Sequence, residues 1–285
     1  MRFRDWITRI VLIFLMLATL IVALFIGGAK QRPSQVNVSP PEVISENFYP
    51  QVLFQSERKQ ENLPKNVNKP ALPPLKQKSR NKYLTTTAFS QYRPNLEVAA
   101  VDPTNYGERY TTDVNGLVVT NQPIIVIHET SNSATSAINF FQTPHEDENV
   151  QASYHTLIKL DGTVIYLVAP EKRAFGAANS VFEGAYGIET VQTNPNLPPS
   201  VNNFAYHVSL ETPPDGRGDN MIISHSGYTD SQYKSLAWLI AQSQVPDERI
   251  TTHKAVDRSG QRADPKSFDF DKLFTLLHTF RDFQA

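Results

Sequence analysis

Two histidines and one aspartate are the residues of this chain whose types and placement suggest chemistry. His128 ends a short apolar run, and His253 and Asp264 follow near one another far downstream. Two imidazoles and one carboxylate are a common ligand set for a catalytic zinc ion that keeps its fourth position for water. Taken singly, a histidine at a strand end is more often structural, and an Asp-Pro pair is often only a turn. Together they favour metal-assisted hydrolysis.

The composition restricts the classes of function. The chain has 27 Lys plus Arg against 28 Asp plus Glu, a formal net charge of -1 and a pI near 6.7. It therefore lacks the basic surface expected of a nucleic-acid-binding protein. It also contains no cysteine, which excludes disulfides, thiolate zinc sites and cysteine nucleophiles. Any metal must be held by His, Asp or Glu.

Residues 1–29 predict a signal anchor or transmembrane helix. Three arginines precede an unbroken apolar run from Ile10 to Gly28, which is just long enough to cross a hydrocarbon core of about 30 Å. The arginines should stay in the cytoplasm, so the rest of the chain is expected outside it. The run exceeds the roughly 7–15 apolar residues typical of a cleaved signal peptide. An uncleaved anchor is therefore favoured, with a secreted protein as the alternative.

Residues 30–84 change sharply in composition. Prolines recur among Gln, Asn, Ser and Lys, and no helical or strand period persists for more than a few residues. Such a segment is expected to be extended and disordered. It predicts a linker that holds the following domain away from the membrane.

Residues 85–285 have the size of one domain, and their periodicity predicts a mixed α/β fold. Asp161-Gly162 predicts a hairpin turn, and Thr229 with Gln232 predicts a capping box at the start of a helix. Runs of strand length and type lie at 124–127, 154–160, 164–168 and 204–210. Apolar residues recur with helical spacing at 134–141, 233–240 and 270–277. A central mixed sheet flanked by helices follows from this alternation.

Several segments in this domain resemble, in order, the blocks of the zinc-dependent N-acetylmuramoyl-L-alanine amidases, the type that also includes the peptidoglycan recognition proteins. The resemblance spans roughly residues 123–277. The similar blocks are Ile125-Val-Ile-His128-Glu-Thr, Ala152 to Val168, Lys172-Arg173-Ala-Phe175, His207-Val-Ser-Leu-Glu211, Thr229 to Leu236, His253, and Asp264-Pro265. The family's mixed sheet with helices on both sides agrees with the fold predicted from periodicity.

The resemblance implies a set of site residues. His128, His253 and Asp264 fall on the family's three zinc ligands. Glu211 falls on an acidic residue thought to act as a proton shuttle, and Tyr154 falls where some members carry a catalytic tyrosine. Alternation along the strand places Glu211 on the polar face, as a site residue requires.

Two departures from the family pattern concern catalysis and substrate. Arg262 stands where many active members have lysine, two positions before the third ligand. Arginine keeps the positive charge for oxyanion stabilisation but cannot donate a proton at neutral pH. The family's Trp-His-Ala-Gly segment is Phe175-Gly176-Ala177-Ala178 here, so one histidine of the groove is missing. Arg173 and Phe175 are expected to contact substrate, and His207, on the face of Glu211, is expected to do so or to orient Glu211.

The sequence as a whole predicts a membrane-anchored zinc amidase of the cell envelope. Its substrate would be peptidoglycan or muropeptides, cleaved between N-acetylmuramic acid and L-alanine, and it is expected to act as a monomer. The alternative from a different class is a non-catalytic peptidoglycan-binding receptor on the same fold. A zinc peptidase is disfavoured because no His-Glu-x-x-His motif is present.

Overall fold

The computed structural model describes residues 82–185, 187–218 and 222–284. The predicted membrane segment, residues 1–29, and nearly all of the predicted linker lie outside these residues. Among the helices within them, none combines the length and the apolar character needed to span a bilayer. The folded chain includes the last residues assigned above to the linker, because strand β1 begins at Tyr83 and pairs with the C-terminal strand β12.

The described residues form the following strands and helices. The strands are β1 (Tyr83–Thr85), β2 (Leu96–Val98), β3 (Tyr106–Glu108), β4 (Ile124–Glu129), β5 (Thr156–Ile158), β6 (Val164–Tyr166), β7 (Lys172–Ala174), β8 (Phe182–Gly184), β9 (Gly187–Glu189), β10 (Ala205–Leu210), β11 (Ile250–Thr252) and β12 (Arg281–Phe283). The α-helices are α1 (Thr87–Gln91), α2 (Ala134–Gln142), α3 (Asp230–Ala241), α4 (His253–Val256) and α5 (Phe270–Phe280).

Six strands form the central sheet in the order β11-β4-β10-β5-β6-β2. Strands β11, β4, β10 and β5 run parallel to one another, whereas β6 is antiparallel to β5 across the predicted hairpin. The predicted mixed sheet is therefore confirmed. The two longest strands, β4 and β10, lie at its centre and are buried along their whole length, as expected for parallel strands covered on both faces.

Successive side chains of β4 face two hydrophobic cores on opposite sides of the sheet. Ile125 and Ile127 face a large core formed with α3 and α5. Ile124 and Val126 face a second core on the opposite side. His128 continues the series of Ile124 and Val126, because side chains two positions apart point to the same face of a strand. The strand therefore delivers this histidine to the side of the sheet opposite α3 and α5.

Helix α3 begins with the predicted capping box. The Thr229 hydroxyl accepts a hydrogen bond from the backbone N–H of Gln232, and the Gln232 side chain accepts one from the backbone N–H of Thr229. Gln232 also donates to the backbone carbonyls of Ile158 and Glu211. The cap thus joins the start of α3 to the ends of β5 and β10. These strand ends are at the same end of the sheet as His128.

Candidate metal centre

The three predicted ligands come from three separate segments. His128 is near the end of β4, His253 is the first residue of α4, and Asp264 lies in the loop between α4 and α5. The Thr252 hydroxyl caps α4 by accepting from the backbone N–H of Ala255. The backbone N–H of Lys254 donates to the carbonyl of Asp264 at 2.8 Å. This hydrogen bond holds the aspartate loop against the start of α4.

The geometry of the cluster suits one small divalent cation. The potential ligand atoms of His128, His253 and Asp264 all lie within 4.8 Å of one another. Nδ1 of His253 is 3.1 Å from the Asp264 carboxylate, and Nδ1 of His128 is 3.4 Å from it. Two atoms bound to one tetrahedral zinc at about 2.0–2.1 Å would lie roughly 3.3 Å apart. In addition, Nδ1 of His128 is buried without a hydrogen-bond partner in the part of the chain described, as a ligand atom should be.

The ionisation states of the cluster suit metal binding. Burial holds the pKa of His128 at about 4, well below its usual value, so this imidazole is neutral at neutral pH. Burial alone would raise the pKa of Asp264, but the imidazoles of His128 and His253 outweigh it and lower that pKa. A neutral histidine and an ionised aspartate are the forms that bind a cation.

Tyr154 lies beside the cluster, just before β5 rather than inside it. Its ring centroid is 4.7 Å from that of His128. Burial, followed by the charge of Asp264, raises the pKa of the phenol, so the hydroxyl stays protonated and can donate a hydrogen bond. Ser209 faces the same space from β10, where it lies in register with His128. The Ser209 hydroxyl acts in the opposite direction on Tyr154 and lowers its pKa.

Arg262 is exposed, and its positive charge reaches the cluster. It acts to lower the pKa of both His128 and Tyr154. The backbone before Arg262 is organised by the carboxylate of Asp257, which accepts hydrogen bonds from the backbone N–H groups of Ser259, Gln261 and Arg262. These hydrogen bonds fix the shape of the loop before Arg262.

Glu211 makes contacts different from those expected of a proton shuttle. Its carboxylate accepts hydrogen bonds from the backbone N–H of Ala134 at 3.0 Å, the backbone N–H of Leu160 at 3.1 Å and the guanidinium of Arg217 at 2.9 Å. These donors belong to α2, the β5–β6 turn and the loop after β10, and none is a predicted zinc ligand. The contacts indicate a structural clamp, and the shuttle role of Glu211 stays a prediction.

The predicted substrate residues Arg173 and Phe175 lie next to the tyrosine segment. The guanidinium of Arg173 lies 5.0 Å from the ring centroid of Tyr110 and 5.2 Å from that of Phe175. The backbone N–H of Phe175 donates to the hydroxyl of Ser153, the residue before Tyr154. Both side chains are half-buried. Their contact with substrate stays a prediction.

His207 has a different environment from the one predicted. Its side chain is completely buried, and its Nδ1 lies 2.9 Å from Nε2 of His128. Direct contact with substrate is incompatible with this burial. Among the described residues it makes no hydrogen bond to Glu211; its side chain contacts His128 instead.

One buried group near the site was missed by the sequence analysis. Glu129, which points to the opposite face from His128, accepts hydrogen bonds from Nε2 of His225, from the hydroxyl of Tyr228 and from the backbone N–H of Lys266. Because Lys266 follows Asp264 closely, this carboxylate ties the aspartate loop to the end of β4. An acidic residue next to a ligand was visible in the sequence, but its distant partners were not.

The sequence family described as N-acetylmuramoyl-L-alanine amidase matches residues 120–267, more than half of the chain. The match begins just before β4 and ends just after Asp264, so it includes every residue of the candidate centre. The chain belongs to this family. A search of curated proteins found no match.

Three solved structures are among those similar to this chain. A selenomethionine derivative of AmpD is 21% identical, with 63% of this chain and 94% of that chain covered and a TM-score of 0.41. AmpDh3 from Pseudomonas aeruginosa in complex with an anhydromuramic pentapeptide is 19% identical, with 68% and 66% covered and a TM-score of 0.40. AmiD from E. coli in complex with its substrate anhydro-N-acetylmuramic acid-L-Ala-D-gamma-Glu-L-Lys is 18% identical, with 60% and 65% covered and a TM-score of 0.42.

Proposed function

We propose that this protein is a zinc-dependent N-acetylmuramoyl-L-alanine amidase. The reaction would hydrolyse the amide bond between the lactyl group of N-acetylmuramic acid and L-alanine in peptidoglycan or its fragments. The observation that carries the proposal is the convergence of His128, His253 and Asp264, with a neutral imidazole and an ionised carboxylate, inside a chain of this family.

The chemistry divides between the metal and the side chains around it. His128, His253 and Asp264 would hold a zinc ion, which would supply polarisation of an amide carbonyl and activation of water near neutral pH. The protonated phenol of Tyr154, beside His128, would donate a hydrogen bond to the carbonyl oxygen as negative charge develops there. Arg262 adds positive charge at the exposed side of the cluster. This charge would also stabilise the negative charge that develops on the carbonyl oxygen.

The activity test follows the amino group that the reaction releases. Purified full-length protein is incubated with peptidoglycan, and newly formed amino termini of L-alanine are measured. We expect their release to stop after zinc is removed with a chelator and to return when zinc is added. The proposed reaction depends on the zinc ion to activate the water and the amide carbonyl. Protein treated with chelator and reloaded with Mg²⁺ is the control, since Mg²⁺ prefers oxygen ligands in octahedral geometry.

The receptor alternative gives a different result in the same experiment. A protein that holds zinc and binds peptidoglycan fragments, yet releases no new amino termini across pH 5–9, would be a receptor rather than an enzyme. Arg262→Lys would then be the first substitution to make, because lysine at this position can donate a proton and arginine cannot.

We further propose that residues 1–29 anchor the protein in the membrane with the catalytic domain outside the cytoplasm. The arginines before the apolar run support this orientation. Full-length protein is expected in the membrane fraction, with its C-terminal domain cleaved by protease added from the outer side. A mature N-terminus near Lys30 would instead show that the segment is a cleaved signal peptide.

A further inference from the structure

His207 and Gly176 pack against each other unusually closely. A Cβ atom placed on Gly176 would lie 2.5 Å from both Cγ and Nδ1 of His207. Gly176 is not among the glycines whose φ is positive, so its backbone conformation is open to any residue. Space for the imidazole, rather than conformation, therefore requires glycine at this position.

The imidazole that fills this space contacts a predicted metal ligand. Nδ1 of His207 lies 2.9 Å from Nε2 of His128, and both side chains are fully buried. A neutral imidazole carries its proton on one nitrogen only. For Nδ1 of His128 to bind a cation, the proton must be on Nε2, where it is donated to Nδ1 of His207. This hydrogen bond fixes both the tautomer and the ring orientation of His128.

His207 is itself held firmly in place. Its backbone N–H donates to Nδ1 of His155 at 2.9 Å, and the two rings are nearly parallel with centroids 5.8 Å apart. Because His155 accepts at Nδ1, its own proton is on Nε2, which lies 3.2 Å from the carbonyl of Lys172. Nε2 of His207 then keeps its proton without a partner among the described residues. Among the described residues, the hydrogen-bond partner of the His207 side chain is therefore His128, the predicted metal ligand.

We propose that His207 is a positioning residue that keeps Nδ1 of His128 free and aimed at the metal, and that Gly176 provides the space for it. The inference rests on the metal centre of the proposed function. It also accounts for the departure at position 176, where the resemblance predicts a histidine. A side chain there would occupy the volume that the His207 imidazole fills from the neighbouring strand.

The test measures zinc affinity rather than activity. Zinc dissociation constants are determined by chelator competition for full-length wild type, His207→Leu, Gly176→Ala and the double variant. We expect each single variant to bind zinc about 10–100-fold more weakly, the range typical for loss of an outer-shell hydrogen bond. The double variant should bind zinc about as weakly as His207→Leu alone, because both single changes remove the same hydrogen bond to His128 and its loss counts only once.

A conservative variant and a surface control separate positioning from general destabilisation. His207→Asn is expected to recover most of the affinity, because its side-chain oxygen can accept the proton of His128 Nε2. His278→Leu removes an exposed histidine of α5 and should leave zinc affinity unchanged. Unfolding of the zinc-free proteins is measured alongside.

Three results would overturn the inference. Wild-type zinc affinity in His207→Leu would remove the role of His207 while leaving the metal centre intact. Equal loss of affinity in His207→Leu and His207→Asn, in proportion to their loss of stability, would show that the residue only fills space. Absence of zinc from the wild type would refute the metal centre and this inference together.

Discussion

Replacing His253 with alanine should remove zinc from the purified protein and lower the release of L-alanine amino termini by at least about 10³-fold. The reduction follows because metal activation supplies several kcal/mol of transition-state stabilisation. Nδ1 of His253 lies 3.1 Å from the Asp264 carboxylate, so its loss leaves one imidazole and one carboxylate to hold the ion. Elemental analysis of the variant measures the first effect, and the amino-terminus assay measures the second.

The fold should survive this substitution, so the loss of zinc can be assigned to the missing ligand. The hydrogen bond from the backbone N–H of Lys254 to the carbonyl of Asp264 does not involve the removed imidazole. His278→Ala is the matched control, because that histidine is 59% exposed and bonds to Asp247 on the surface. Zinc at one ion per chain in His253→Ala would refute the proposed ligand set.

Much of the fold could be predicted because its signals are local. The apolar run of β4, the Asp161-Gly162 turn and the capping box of α3 each depend on residues close together in the chain, and each is present in the structure. Alternation along β4 also predicts which face His128 occupies. Local patterns of this kind determine the type and orientation of an element, so the layer in which a candidate ligand lies follows from them.

The partners of the site residues could not be predicted in the same way. Alternation along β10 places His207, Ser209 and Glu211 on one face, but it gives no distance to the metal. That distance depends on the register between β10 and β4, which are far apart in the chain. In the structure Ser209 is opposite His128, and Glu211 lies beyond the end of the strand pair. The family resemblance gave Glu211 a role that its contacts do not favour.

Glu211→Gln is therefore expected to affect stability more than catalysis. The carboxylate accepts from the first backbone N–H of α2, from Leu160 and from Arg217, and negative charge at the start of a helix is favourable. Glutamine keeps the shape but replaces one acceptor oxygen with a donor amide and removes the charge facing Arg217. We expect the free energy of unfolding to fall by about 2–3 kcal/mol, as for a buried charged hydrogen bond. Urea unfolding of the zinc-free protein measures it.

The shuttle hypothesis predicts the reverse pattern. If Glu211 moves a proton from water to the leaving amine, Glu211→Gln loses about 10²–10⁴ in turnover while its stability stays close to that of wild type. Glu97→Gln is the matched control, because Glu97 faces Lys159 at 3.4 Å in a partly exposed pair, which contributes little to stability. Wild-type stability together with a large loss of turnover in Glu211→Gln would contradict the clamp and restore the shuttle. Reduced stability with turnover per folded molecule retained would mean that the proton passes through another group, and the protonated hydroxyl of Tyr154, beside His128, would be the next residue to replace.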